Sequence, residues 1–235
     1  MAAGRARRAT TEVPRGGKSQ GPPRALRRQG QATRDKLLAA AVPALAESGY
    51  HATRVDDVVR LAGVSHGAFY LYFANMEDLF RALAEQCADD CAELAESLGD
   101  VPVDESGQAV LRTWLAEYLD FYRRYGVVIR AWAENQVTDR SLAKLGTVSF
   151  GRIATTLRAS IEGAGRSAGS GRGKAPRAAE VDARARAVEL RADALLAMIE
   201  RFSYVITTRD LGFDDDKVLD DLSLLVHRGF FQTKA

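Results

Sequence analysis

The sequence predicts an all-α protein of two helical domains, and three observations carry that prediction. Between Thr53 and Phe80 apolar residues recur at steps of three and four around one glycine turn, as in short helices sharing a face. From Gly107 onward come long helical stretches, QAVLRTWLAEYLDFYRRYG, VVIRAWAENQ and SLAKLGTVSFGRIATTLRASIEGAG. Near the end, ALLAMIERFSYVI is apolar nearly all round and demands cover on two sides. The expected division is a basic arm over 1–29, a helix-turn-helix domain over 30–80, and a helical bundle over 81–235.

The arm is rich in Arg, Gly and Pro and has almost nothing apolar to bury, so it is expected to be disordered. The overall formal charge of +2 hides its character. Residues 1–36 carry ten basic side chains, among them Arg24, Arg27 and Arg28, against only Glu12 and Asp35. Such an arm can lie on phosphates or enter a minor groove; the bland alternative is a solvated tail.

A first helix is expected from Thr33, with Leu37, Leu38, Ala41 and Leu45 on one side and Gly49 as its stop. Pro43 lies inside it and removes a backbone donor, so a bend or a loosened outer end is expected. The next helix sets Val55, Val58, Val59, Leu61 and Ala62 on one apolar face, and Gly63 supplies a turn at positive φ. Ser65 then caps a third helix, with Phe69 and Phe73 turned inward. Its free face carries His66, Gly67, Ala68, Tyr70 and Tyr72, residues small or polar enough to approach a DNA groove.

The run GVSHGAFYLYFANMEDLF, preceded by AESGYHATRVDDVVRLA, resembles the DNA-binding domain of the TetR/AcrR family of bacterial transcriptional regulators over roughly residues 33 to 80. The resemblance implies base-edge contacts from His66, Ala68 and Tyr70 and phosphate contacts from Thr53, Ser65 and Tyr72. Arg54 could serve in either role. Two positions depart from the family pattern: Met76 stands where a lysine aimed at a phosphate is usual, and Val59 where alanine is usual.

Asn75 is expected to cap a connecting helix over 75–97, with Glu77 and Asp78 at the positive end of its dipole. Its apolar steps run through Leu79, Leu83, Cys87, Cys91 and Leu94. The two cysteines have a spacing that a redox pair could use, but without a neighbouring His or Cys they read as small buried hydrophobes.

Beyond Gly107 the aromatics cluster. The family resemblance implies an effector pocket among these helices, for which Trp114, Tyr118, Phe121, Trp132, Phe150, Met198 and Phe202 are the candidate lining residues. A flexible loop is expected over 163–177, GAGRSAGSGRGKAPR. In the following helix Met198 and Phe202 are expected to face the pocket. Leu195, Ile199 and Ile206 are expected to face a second subunit, alongside a last helix from Val218 to Phe230; the resemblance implies a four-helix dimer interface there.

The reading that follows is a homodimeric, cytoplasmic, ligand-responsive repressor. It would bind a palindromic double-stranded DNA operator and release it on taking up a small apolar effector, acyl-type molecules being plausible. No cofactor, metal or membrane partner is implied: no apolar run reaches the roughly 18 residues of a membrane span. An architectural DNA binder without a ligand is one alternative. The other, a helical enzyme with a vestigial motif, is disfavoured: His51, His66 and His227 form no metal spacing, and there is no nucleophile elbow or phosphate loop.

Overall fold

The computed structural model describes residues 24–134, 136–168, 177–209 and 212–232. Among them are eight α-helices, one π-helical turn and no strand: α1 (Arg24–Ser48), α2 (Val55–Ala62), α3 (His66–Tyr70), α4 (Met76–Ser97), α5 (Glu105–Ala133), α6 (Arg140–Ala168), α7 (Ala178–Thr208) and α8 (Asp215–Val226), then the π-turn His227–Phe231.

The first three helices form a small unit around one core. Leu37, Leu38, Ala41 and Leu45 of α1 are buried, and so are Val58 and Val59 of α2 and Phe69 and Phe73 around α3. α1 starts earlier than expected, at Arg24, so residues 24–29 assigned to the arm belong to a helix; the rest of the arm lies outside the described residues. α1 also runs through Pro43 as one element, with the proline on its exposed side. Gly49, at φ 79°, ends it and returns its N–H to the Leu45 carbonyl at 2.9 Å.

The turn between α2 and α3 is built as its sequence predicts. Gly63 adopts φ 65°, its N–H reaches the Arg60 carbonyl, and the Val64 N–H reaches the Val59 carbonyl at 3.1 Å. The pair of bonds satisfies the last carbonyls of α2, and a residue with a Cβ adopts the required conformation only under strain. Ser65 Oγ accepts the Ala68 N–H at 3.2 Å and opens α3.

α4 leaves this unit and enters the second set of helices. Asn75 Oδ1 accepts the Asp78 N–H at 2.8 Å, and Asp78 Oδ2 accepts the Ala74 N–H at 3.0 Å, a reciprocal cap. Along its length α4 packs against α1, α5 and α6, burying Leu79, Phe80, Leu83, Cys87, Cys91 and Leu94. Tyr50, after α1, closes edge-on over Phe80, with ring centroids 4.6 Å apart.

α6 extends to Ala168, so residues 163–168 of the expected loop are helical; 169–176 lie outside the described residues. α7 inverts its expected orientation. Leu195 and Ile199 are fully buried and Ile206 is half-buried against α5 and α8, whereas Met198 and Phe202 line an open groove on the outer side. The last helix begins at Asp215, earlier than expected, capped by Asp214. The π-turn then folds back on the start of α5: His227 Nε2 pairs with the Pro102 carbonyl at 2.8 Å, and Gln232 Nε2 donates to the Val103 carbonyl at 3.1 Å.

Candidate nucleic-acid interface and effector cavities

α3 presents one side to the core and the other to solvent, and a single residue sets the division. Phe69 is fully buried and packs toward Phe73, so its neighbours around the helix turn outward. Tyr70 is 58% exposed and Leu71 79% exposed. Gly67 leaves the backbone open, and His66 stands on the same side as Tyr70, one turn earlier. Leu71 was not among the sequence candidates; its apolar character hid an exposed position at the end of a short helix.

The other predicted contacts divide. Arg54 is exposed at the start of α2, where its N–H is held by Asp57 Oδ2 at 3.1 Å and its side chain is available. Ser65 is exposed and its hydroxyl proton is not used by its cap, which only accepts. Ala68 and Tyr72 are half-buried, and the Tyr72 hydroxyl leans toward Gly30 of α1. Thr53 is withdrawn from the surface: it is buried, and its hydroxyl donates to the Gly49 carbonyl at 2.6 Å. A phosphate oxygen needs a donor, and this proton is already spent on the turn after α1. Met76 is half-buried against the core, so it offers the polyanion nothing.

His66 has a partner that the sequence reading did not assign. Its Nε2 hydrogen-bonds Asp56 Oδ1 on the preceding helix. Arg60 flanks the pair on α2 and bridges Asp57 at 3.5 Å.

The seven candidate effector residues do not line one pocket. Trp114, Tyr118 and Phe121 are buried within α5, where Trp114 Nε1 donates to the Leu94 carbonyl at 2.9 Å. Trp132 and Phe150 flank a cavity of about 160 Å³ between α5 and α6, with Gly146 against the indole face. Met198 and Phe202 belong to the outer groove of about 500 Å³ between α7 and α8. A larger groove, about 640 Å³, lies elsewhere: Ile161, Val181, Val188, Phe230 and Phe231 give it apolar walls, Arg184 and Arg191 cationic ones and Glu162 an anionic one. Periodicity did not reveal it, because three separate segments meet there.

Both thiols are buried in α4. Burial pushes Cys91 up to about 11 and Cys87 further in the same direction, so neither is poised as a thiolate. The Cys91 Sγ–H donates to the Ser149 carbonyl at 3.3 Å, the role of a packing residue. Among the described residues no cluster of His, Cys, Asp or Glu could hold a metal ion, and no helix is long and apolar enough to cross a membrane.

This arrangement, a short capped helix on a buried aromatic pair with a long connector behind it, is matched by known proteins. Residues 37–83 match the family described as bacterial regulatory proteins, tetR family. Residues 37–83 are a DNA-binding domain of the TetR family. The chain is similar to the fatty acid metabolism regulator protein of Bacillus subtilis, 41% identical over 51 residues, which cover 22% of this chain and 26% of that one. It is also similar to the regulator EthR of Mycobacterium tuberculosis, 25% identical over 91 residues, 39% of this chain and 42% of that one. The chain thus spans well under two thirds of the length of these curated relatives.

Solved TetR-like structures resemble it over a wider range. FadR of Bacillus subtilis, solved in complex with stearoyl-CoA, superposes with a TM-score of 0.55 at 20% identity, covering 84% of this chain and 97% of that one. PfmR of Thermus thermophilus gives 0.59 at 19%, covering 82% and 97%. At these identities the likeness is one of fold: an N-terminal helix-turn-helix followed by a helical bundle. The family is one of transcriptional regulators rather than enzymes.

Proposed function

We propose that the chain is a dimeric transcriptional repressor that reads a palindromic operator with α3 and releases it when an acyl-type amphipathic effector binds among α4–α8. The observation that carries the reading is the exposed face of the Ser65-capped helix, His66, Gly67 and Tyr70, held outward by buried Phe69. Phosphate contacts from Arg54, Ser65 and Tyr72 would supply register and affinity, and base contacts discrimination of about 1–3 kcal/mol for each good pair. Selection of double-stranded DNA from a randomised library by the full chain tests it: a two-fold symmetric motif is expected. Tyr70→Ala should weaken binding to that motif by about 1–3 kcal/mol with helicity unchanged, and unaltered affinity would remove Tyr70 from the interface.

The effector class rests on the groove of about 640 Å³ between α6, α7 and the π-turn. Ligand sites of drug-sized molecules span about 300–1,000 Å³, so this groove is large enough and the Trp132 cavity is not. Apolar walls suit a hydrocarbon chain, and Arg184 suits the anionic end. The stearoyl-CoA held by FadR of Bacillus subtilis supports the same chemistry. A thermal-shift series of acyl-CoAs and free fatty acids of rising chain length should show Tm climbing with length. Arg184→Glu should abolish the rise for anionic members; a flat series would set the effector class aside.

The open groove of about 500 Å³ along α7 and α8 is assigned to a second copy of the chain. Met198, Phe202, Leu222 and Leu225 form its apolar floor, with Asp214, Lys217 and Asp221 around it. An apolar centre with a charged rim is the ordinary anatomy of a subunit interface.

A further inference from the structure

Asp56 stands on the surface that a polyanion would have to approach. Its side chain is 76% exposed, and so, at 57%, is that of His66, which it bonds from α2 across the turn to α3. A carboxylate in this position repels phosphates and weakens attachment to any DNA, so its presence calls for a compensating role.

The bond itself defines that role. A carboxylate can only accept, so the proton between the two groups is carried by His66 Nε2, and in the neutral ring Nδ1 is left with a lone pair. The second carboxylate oxygen of Asp56 is likewise an acceptor. With the ring neutral, the pair offers acceptors only. In the major groove their complement is an exocyclic amino group, N4 of cytosine or N6 of adenine, while guanine O6 and thymine O4 present acceptors of their own.

We propose that Asp56 and His66 act as one composite acceptor that selects an amino-bearing base, cytosine or adenine, at one position of each half-site. Asp56 fixes the tautomer and direction of the imidazole and adds a lone pair beside it. Without Asp56 the ring can turn over and offer either a donor or an acceptor, and the selection is lost. The inference rests on the reading of α3 as the operator-binding helix.

The test uses the full chain and double-stranded DNA selected by it from a randomised library, in one buffer of mildly alkaline pH. At each half-site position all four base pairs are compared for the wild type, Asp56→Asn, Asp56→Glu and His66→Ala. One position per half-site should prefer cytosine or adenine by ~5- to ~100-fold, the range of a good base contact. Asp56→Asn should erase most of that preference while binding to random DNA holds or strengthens, because a negative charge has gone. Asp56→Glu should restore part of it. His66→Ala should erase it at the same position and make Asp56→Asn silent there. An unchanged preference in Asp56→Asn, or a preference that survives when the selected base is replaced by its analogue lacking the amino group, 2-pyrimidinone for cytosine or purine for adenine, overturns the inference and leaves operator binding standing. A wild-type chain that selects no motif overturns both.

Discussion

Two glycines of α6, five residues apart, carry opposite consequences for the same substitution. A Cβ on Gly146 would stand 2.6 Å from the Trp132 indole carbons, a distance real side chains do not tolerate. Gly146→Ala should therefore destabilise the protein by about 1–3 kcal/mol, the usual range for overpacking a filled core. Gly151 is exposed and a Cβ there meets nothing within 4 Å. Gly151→Ala should stabilise by about 0.5–1 kcal/mol through helix propensity alone. Denaturant midpoints at constant m-value measure both, and equal signs would refute the packing assigned to Trp132. Thr53 argues along similar lines at the edge of the reading domain. Its hydroxyl is buried on the Gly49 carbonyl, so Thr53→Val should cost about 0.5–1.5 kcal/mol of stability and leave the salt dependence of DNA binding untouched.

At the scale of elements, the tie between the connector α4 and α6 is electrostatic and local. Arg81 donates to Asp139 at 2.8 Å and to Ser141 Oγ at 2.9 Å, while Asp139 caps α6 through the N–H groups of Ser141 and Leu142. Hydrogen bonds from the Ser141 hydroxyl, the Leu142 N–H and Arg81 hold the Asp139 carboxyl well below the usual carboxylate range. A depressed folded value means that the unfolded chain binds the proton more readily. The contribution is therefore fully present above the ordinary carboxylate value, about 3.9, and is lost as pH falls below it toward the folded one. Asp139→Asn should flatten the acid limb of the stability curve, and a limb identical to wild type would show the tie to be idle. The same scale shows what was legible in the sequence. Caps and turns at Gly63, Ser65 and Asn75 were legible because their chemistry is confined to three or four consecutive residues. The orientation of α7 was not. A helix apolar nearly all round gives periodicity no contrast, and only packing against α5 and α8 decides that Leu195 and Ile199 go inward while Met198 and Phe202 stay out. The scattering of Trp114, Trp132 and Met198 over three places has the same origin: aromatics mark where volume is filled, not where it is left open.

For the whole molecule, reading a palindrome requires two copies of α3 about 34–36 Å apart, one helical turn of DNA, and a single chain supplies only one. The outward face of α7 and α8 is where the proposed dimer places the second copy. Leu225 is 56% exposed beside Met198 and Phe202, an apolar patch that water would otherwise have to cover. Leu225→Asp places a charge at the centre of that patch, while the buried side of α8, Leu219, Leu222 and Val226, is left intact. The variant should therefore keep its helicity and melt close to the wild type measured below its dissociation concentration. By light scattering it should be a monomer where the wild type is a dimer. Because the two half-sites are then bound independently, affinity for the selected palindrome should fall toward that for a single half-site, while the base preferences within the half-site stay as they were. A dimeric Leu225→Asp chain, or a monomer that still binds the palindrome as tightly as wild type, would show that the reading helices are spaced by some other surface.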